Sequence, residues 1–168
     1  MITANIQLGK NVYIEKDASV NNVRIGDFTK IAGGAKIFGS PQFILEVGSG
    51  SYIAANAIIE GYNAKVIIGK FVSFGQLSHL MSGSGPHASD AMLKIFPVVK
   101  GEVTIGDHSW IGASSIIMPN VSLGKYCVVA ANSFVNNSFS DYSIIGGTPA
   151  KLIRTLTPSE IEKLHSDD

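Results

Sequence analysis

The stretch from Ile105 to Val135 constrains this chain more than any other, because it reads in sixes. Ile105, Ile111, Ile117, Leu123, Val129 and Val135 recur at a fixed interval, mostly followed by glycine, alanine or another small residue. A second small residue or valine sits four places after each of the first five: Ser109, Ser115, Val121, Cys127 and Ser133. A period of six fits neither the 3.6-residue repeat of a helix nor the two-residue alternation of a half-buried strand. A short fixed period held over consecutive units marks a solenoid, and a hexapeptide period points to a parallel β-helix. Each unit supplies one short strand and a turn, and three units close a triangular coil. Coils then stack at the strand spacing of roughly 4.8 Å. The aliphatic residue points inward onto its equivalents in neighbouring coils. The glycine beside it is expected to let the chain turn the corner without a clash.

The same frame extends through most of the chain. Earlier unit starts are Ile14, then Ile25, Ile31 and Ile37, then Val47, Ile53 and Ile59, then Ile68, Phe74 and Leu80. The frame slips after Ile37 and after Ile59, where Gly39-Ser40-Pro41 and Gly61-Tyr62-Asn63 are turn-type sequences expected to bulge out at corners. The largest interruption is residues 82–102. A loop longer than about 12–15 residues in a compact domain is usually functional or disordered. This one carries Met92, Leu93, Ile95 and Phe96, which need a partner surface such as a neighbouring subunit. Residues 1–11 read as an edge strand covering the first coil. Near the other end, Thr157-Pro158-Ser159-Glu160 spells a capping box with proline at the first helical position. It predicts a short helix over about 158–166, with Ile161 and Leu164 packing back on the coils. The expected division is a β-helix over 1–154 and a C-terminal helix and tail over 155–168.

Composition supports an all-β domain. Apolar residues make up 45% of the 168 and charged residues only 15%, enough for a core and too few for solvated helical surfaces. Thirteen basic and thirteen acidic residues cancel, so nothing suggests an electrostatic surface for nucleic acid or membrane. The lone Cys127 excludes an intrachain disulfide, and its place on a small inward position predicts core packing. No apolar run resembles a signal peptide or could span a bilayer, so the expected location is the cytoplasm.

Several segments carry a family resemblance, taken together and in order. They are Ile68-Gly69-Lys70-Phe71-Val72-Ser73-Phe74-Gly75, then Met81-Ser82-Gly83-Ser84-Gly85-Pro86-His87-Ala88-Ser89-Asp90, then Phe96-Pro97. Ile105-Gly106-Asp107-His108-Ser109-Trp110-Ile111-Gly112, an alanine pair, and Gly147-Thr148-Pro149-Ala150-Lys151 follow. From about Ile25 to Arg154 this resembles the hexapeptide acyltransferases, most nearly their xenobiotic and polysaccharide O-acetyltransferase branch. The resemblance implies a left-handed parallel β-helix with an extruded loop at about 82–102, an exception to the right-handed rule for parallel crossovers. It also implies acetyl-CoA as co-substrate and a homotrimer with the cofactor in the groove between solenoids. The implied reaction is transfer to a hydroxyl of a sugar or polysaccharide precursor. An antibiotic hydroxyl, or the amine of an amino-sugar nucleotide, would use the same cofactor side.

The resemblance also assigns residues. His87 matches the loop histidine that acts as general base, a role suited to an imidazole that is neutral near working pH. Asp90 could hold the other ring nitrogen of His87, as could a backbone carbonyl. His79, at a corner, is expected to line the acceptor pocket, and it competes for the role of base. Trp110 and Ala113 match residues beside the thioester, and Ala131 matches the residue whose N–H meets the pantetheine arm. Lys151 and Arg154 match basic residues at the CoA phosphates, while Asn137 stands where some relatives carry lysine. His108 reads as a solvated turn residue and His165 as a tail residue without a task. No metal is expected: the spacings 79/87 and 108/165 do not supply the three-histidine zinc site of γ-class carbonic anhydrases, which share the solenoid. A non-enzymatic scaffold is the remaining alternative, and it would bind no CoA.

Overall fold

The computed structural model describes residues 4–166. The chain winds into a left-handed β-solenoid of six triangular coils. Coil one holds β1 (Ile6–Leu8), β2 (Tyr13–Ile14) and β3 (Ser19–Asn21), and coil two holds β4 (Val23–Ile25), β5 (Lys30–Ile31) and β6 (Lys36–Gly39). Coil three holds β7 (Leu45–Val47), β8 (Tyr52–Ile53) and β9 (Ile58–Gly61), and coil four β10 (Val66–Ile68), β11 (Ser73–Phe74) and β12 (His79–Met81). The extruded loop follows, with β13 (Gly83–Ser84), α1 (Asp90–Leu93) and β14 (Val99–Lys100). Coil five holds β15 (Val103–Ile105), β16 (Trp110–Ile111) and β17 (Ile116–Ile117), and coil six β18 (Ser122–Leu123), β19 (Val128–Val129) and β20 (Phe134–Val135). The hairpin of β21 (Ser143–Gly147) and β22 (Ala150–Thr155) and the helix α2 (Pro158–Leu164) complete the chain.

Three parallel sheets form the walls. Sheet A is β1-β4-β7-β10-β15-β18, sheet B begins β2-β5-β8-β11-β16-β19 and ends in β21-β22, and sheet C is β3-β6-β9-β12-β17-β20. The register stacks like on like, as the hexads require. In sheet B, Ile31, Ile53, Phe74, Ile111, Val129 and Ile145 follow one another inward across successive strands. All six are essentially inaccessible to solvent. β1 is the outermost strand of sheet A, where an edge strand was expected, although residues 1–3 of that expectation lie outside the described residues.

The second small position of each hexad does more than save space. Ser51, Ser109 and Ser115 are buried, and their hydroxyls donate to Gly69, Gly124 and Ala130 carbonyls of the next coil at 3.0–3.1 Å. Cys127 shares this inward row and is fully buried, with its Sγ 3.2 Å from the Ser140 carbonyl. Among the described residues no buried side-chain nitrogen or oxygen lacks a partner.

The glycines avoid a clash, as expected, and the clash would be with the neighbouring coil. A Cβ on Gly106 would stand 2.4 Å from the Gly124 carbonyl carbon, so glycine is needed because coils approach closely. The left-handed backbone at that corner falls two residues later, on Gly50 and then on Phe71, His108, Tyr126 and Tyr142, the last four with φ of 55–64°. The rings of these four stack in one ladder, with centroids 4.8–5.4 Å apart. His108 is an exposed turn residue, as expected, and also a rung of an aromatic column. His165 sets its ring edge-on to Tyr126, so the tail histidine has a place as well.

The C-terminal helix forms with the expected cap: Thr157 Oγ1 accepts from the Glu160 N–H, and Glu160 accepts from the Thr157 N–H. Its apolar face packs less than expected. Ile161 is half-buried, Leu164 is exposed, and no residue of α2 is buried. What holds it is the bidentate pairing of Arg154 with Glu160.

Candidate functional site

The residues that break the six-residue period collect at one corner, where sheet C hands the chain to sheet A. The turns after β6 and β9 bulge there, and the 82–102 loop leaves from the same edge. Antiparallel pairing of Gly83 with Lys100 and Ser84 with Val99 closes the loop's base, and the Gly101 N–H donates to the Ser82 carbonyl. The space between loop and sheet is a cleft of about 520 Å³. Its walls are Glu60, Tyr62 and Asn63 from coil three, His79 and Met81 from coil four, and Gly83, His87, Val98 and Lys100 from the loop.

Two histidines eight positions apart in sequence thus face one hollow. His79 begins β12 and is paired between Ile58 and Ile116, so the sheet fixes its direction. His87 follows Pro86 on the exposed turn of the loop, where its N–H donates to the Gly85 carbonyl at 3.0 Å. Its ring makes no side-chain hydrogen bond among the described residues. Asp90 opens α1 and is not part of the cleft lining, and among the described residues no hydrogen bond joins it to His87.

Glu60 anchors the floor. Its carboxylate accepts from the Tyr62 N–H, the Ser82 N–H (3.1 Å) and the Ser82 hydroxyl (3.2 Å). These bonds pin the coil-three bulge to the root of the loop. Burial pushes the His79 imidazole below its ordinary pKa, and the nearby Glu60 carboxylate pulls it partly back. His79 is therefore neutral at neutral pH and can both donate and accept.

The other expected residues lie along sheet B and the corner between sheets B and C. Trp110 points outward from β16 and is 58% exposed. Ala113 and Ala131 occupy the same corner in successive coils, joined by the Asn132 N–H to the Ala113 carbonyl at 2.8 Å. Neither alanine N–H has a hydrogen-bond partner among the described residues. A side chain at Gly112 would stand 2.5 Å from the Ala131 nitrogen. Ala113 lies three residues before Ile116, the strand partner of His79, which ties this corner to the cleft. The register then sets Trp110, Val128, Ile144 and Arg154 in one row. At roughly 4.8 Å per strand, Arg154 lies about 14 Å along the sheet from Trp110. Lys151 is exposed and makes no ion pair among the described residues, whereas both terminal nitrogens of Arg154 are held by Glu160 at 2.7 and 2.9 Å.

Sequence reasoning missed Glu60, Tyr62, Asn63 and Lys100. The slip after Ile59 marked the first three as a bulge, but only the fold shows that this bulge faces the loop. Among the described residues no three His, Cys, Asp or Glu side chains cluster as a metal site would require.

Residues 102–137 match the bacterial transferase hexapeptide family (six repeats). A probable macrolide acetyltransferase of Lysinibacillus sphaericus is 35% identical over 108 residues, covering 54% of this chain and 59% of that protein. A putative lipopolysaccharide biosynthesis O-acetyl transferase, WbbJ of Escherichia coli K12, is 26% identical over 134 residues, or 80% of this chain and 58% of that protein. The chain thus spans little more than half the length of these relatives. Among solved structures, AntD, an N-acyltransferase from Bacillus cereus in complex with dTDP and 3-hydroxybutyryl-CoA, superposes with a TM-score of 0.79. It is 28% identical, over 94% of this chain and 87% of that one. Residues 102–137 thus carry the hexapeptide signature, and the chain is similar in sequence to acetyltransferases and in fold to an N-acyltransferase.

Proposed function

We propose that this hexapeptide-repeat chain is an acetyl-CoA-dependent O-acetyltransferase acting on a sugar or polysaccharide-precursor hydroxyl, with His87 as general base. The observation that carries the reading is the meeting of His87 and His79 in one cleft, next to a corner with outward Trp110 and unpartnered Ala113 and Ala131 N–H groups. Those N–H groups fit the amides of a pantetheine arm, and Lys151 fits the phosphate end of CoA. AntD binds an acyl-CoA, and the similarity to an O-acetyl transferase of lipopolysaccharide biosynthesis supports a glycan acceptor.

The step balances without a further reactant. His87 takes the proton of the acceptor hydroxyl as its oxygen forms a bond to the thioester carbonyl carbon. The carbon–sulfur bond then breaks, and the imidazolium returns its proton to the departing thiolate. His79, neutral and fixed by β12, hydrogen-bonds the acceptor beside the reacting oxygen. Asp90, three residues after His87 at the start of α1, or a backbone carbonyl holds the other ring nitrogen of His87 in this reading. Met92, Ile95, Phe96 and Val99 are 46–69% exposed on the loop, and we assign their burial to a homotrimer in which the cofactor groove runs between solenoids.

A second reading transfers the acyl group to an amine of an amino-sugar nucleotide. It is favoured by the similarity to AntD over 94% of the chain and by the Glu60 carboxylate in the cleft, which could hold an ammonium. A third, transfer to an antibiotic hydroxyl, is favoured by the macrolide acetyltransferase relative. The test is CoA release from acetyl-CoA with sugars, amino-sugar nucleotides and macrolides, for wild type and His87→Ala. Loss of the base lowers turnover about 10²–10⁴-fold while CoA still binds. Equal turnover by both proteins removes His87 from the role.

A further inference from the structure

A second hollow of about 400 Å³ lies on the outward face of sheet C, toward the N-terminal coils, lined by Asn21, Asn22, Lys36, Phe38 and Tyr62 among others. Tyr62 lines both hollows, so they lie side by side. The register fixes the distance between them. Asn21 pairs with Phe38, and Phe38 pairs with Glu60 of the cleft. The second hollow is therefore one to two strands away, about 5–10 Å.

The lining chemistry is specific. Phe38 is half-buried, and Tyr62, 61% exposed, stands on a turn whose N–H is held by Glu60. Asn21 Oδ1 accepts from the Ala4 N–H and Asn22 Oδ1 from the Asn5 amide, both at 2.8 Å, so both amides are oriented. Lys36 is an exposed cation and donor at the rim. Aromatic surface ringed by oriented amides and an ammonium complements a pyranose, which has an apolar C–H face and a rim of hydroxyls.

We propose that this hollow is a second sugar subsite, which binds the pyranose adjacent to the one being acylated. The inference rests on the glycan-acceptor reading above and narrows it: the acceptor has at least two linked sugars. The bulge at Tyr62 is the wall between the reacting ring and its neighbour.

The test is binding of fluorescently labelled protein to an array of defined mono-, di- and oligosaccharides, with acetyl-CoA affinity measured in parallel by calorimetry. Wild type retains a subset of disaccharides and longer glycans over their monosaccharides. Phe38→Ala and Lys36→Ala each weaken that retention, Phe38→Ala by about tenfold as expected for one lost ring contact, with acetyl-CoA affinity unchanged. Lys36 is exposed, so Lys36→Ala remains informative if Phe38→Ala does not fold. The proposal is overturned if wild type retains no glycan, if monosaccharides bind as well as disaccharides, or if neither variant changes retention. It is also overturned if dTDP displaces the glycan, which would make the hollow a nucleotide site. Loss of acetyl-CoA binding in wild type would instead sink the acyltransferase reading, so the two failures are distinguishable.

Discussion

Phe71 and Phe74 sit three residues apart on coil four and should respond very differently to truncation. Phe74 points inward from β11, is 1% exposed, and fills the sheet B stack between Ile53 and Ile111. Phe74→Ala removes a ring that no neighbour can replace, because the coils above and below are fixed by their own hydrogen bonds. Lost transfer energy plus the residual cavity amounts to about 3–5 kcal/mol, a large share of a typical total of about 5–15 kcal/mol. Phe71 is 54% exposed on the corner ladder, stacked on His108 at 5.0 Å. Phe71→Ala loses one stacking contact and little burial, about 0.5–1.5 kcal/mol. Urea unfolding followed by far-UV circular dichroism, at one protein concentration, gives both values from the shift in midpoint at constant slope. Because coils contact only their neighbours, the Phe74→Ala damage should centre on coils three to five, and amide exchange should rise there first. A loss below about 1 kcal/mol for Phe74→Ala, or equal losses for the two variants, would refute the assignment of inward and outward positions.

Three further outcomes are expected. The paired Arg154 and Thr157 groups hold the Glu160 carboxyl well below its usual range, at about 2. The stability it lends to α2 is present above an ordinary carboxylate pKa and is lost as pH falls toward 2. Amide exchange over 158–164 should therefore stay slow through pH 4 in wild type, and Glu160→Gln should exchange fast at every pH. For His79, whose folded pKa is lowered, the contribution to stability is present above the ordinary histidine value and fades as pH falls through the folded one. NMR titration of its ring should give a value below that of a free histidine, and Glu60→Gln should lower it further; a rise would remove Glu60 as a neighbour. Lys151→Ala should weaken CoA binding and flatten its salt dependence, while Arg154→Ala should chiefly loosen α2; calorimetry at two ionic strengths separates them.

Much of the architecture was legible because a solenoid is nearly one-dimensional. A buried position in one coil sits under the same position in the next, so the inward rule repeats in the sequence. Ile105, Ile111, Ile117, Leu123 and Val129 announced the core in this way, and each is buried. Cys127 and the capping box at Thr157 were readable for equally local reasons. His87, His79, Trp110 and the two alanines could be singled out only through family resemblance, since the repeat gives them no special place.

Side-chain partnerships across coils had no such signature. Glu60 reaches Ser82 across the root of the loop, and Arg154 turns to Glu160 rather than staying open to a phosphate. His108 stacks between rings from two other coils. Each depends on which way a side chain turns at a corner, and the six-residue period fixes inward against outward but not direction along the surface. By itself, then, the sequence determined the coil, its core and where the coil is interrupted. Only the tertiary structure decided that the interruptions share one corner, because stacking carries residues far apart in the chain to positions one strand spacing apart.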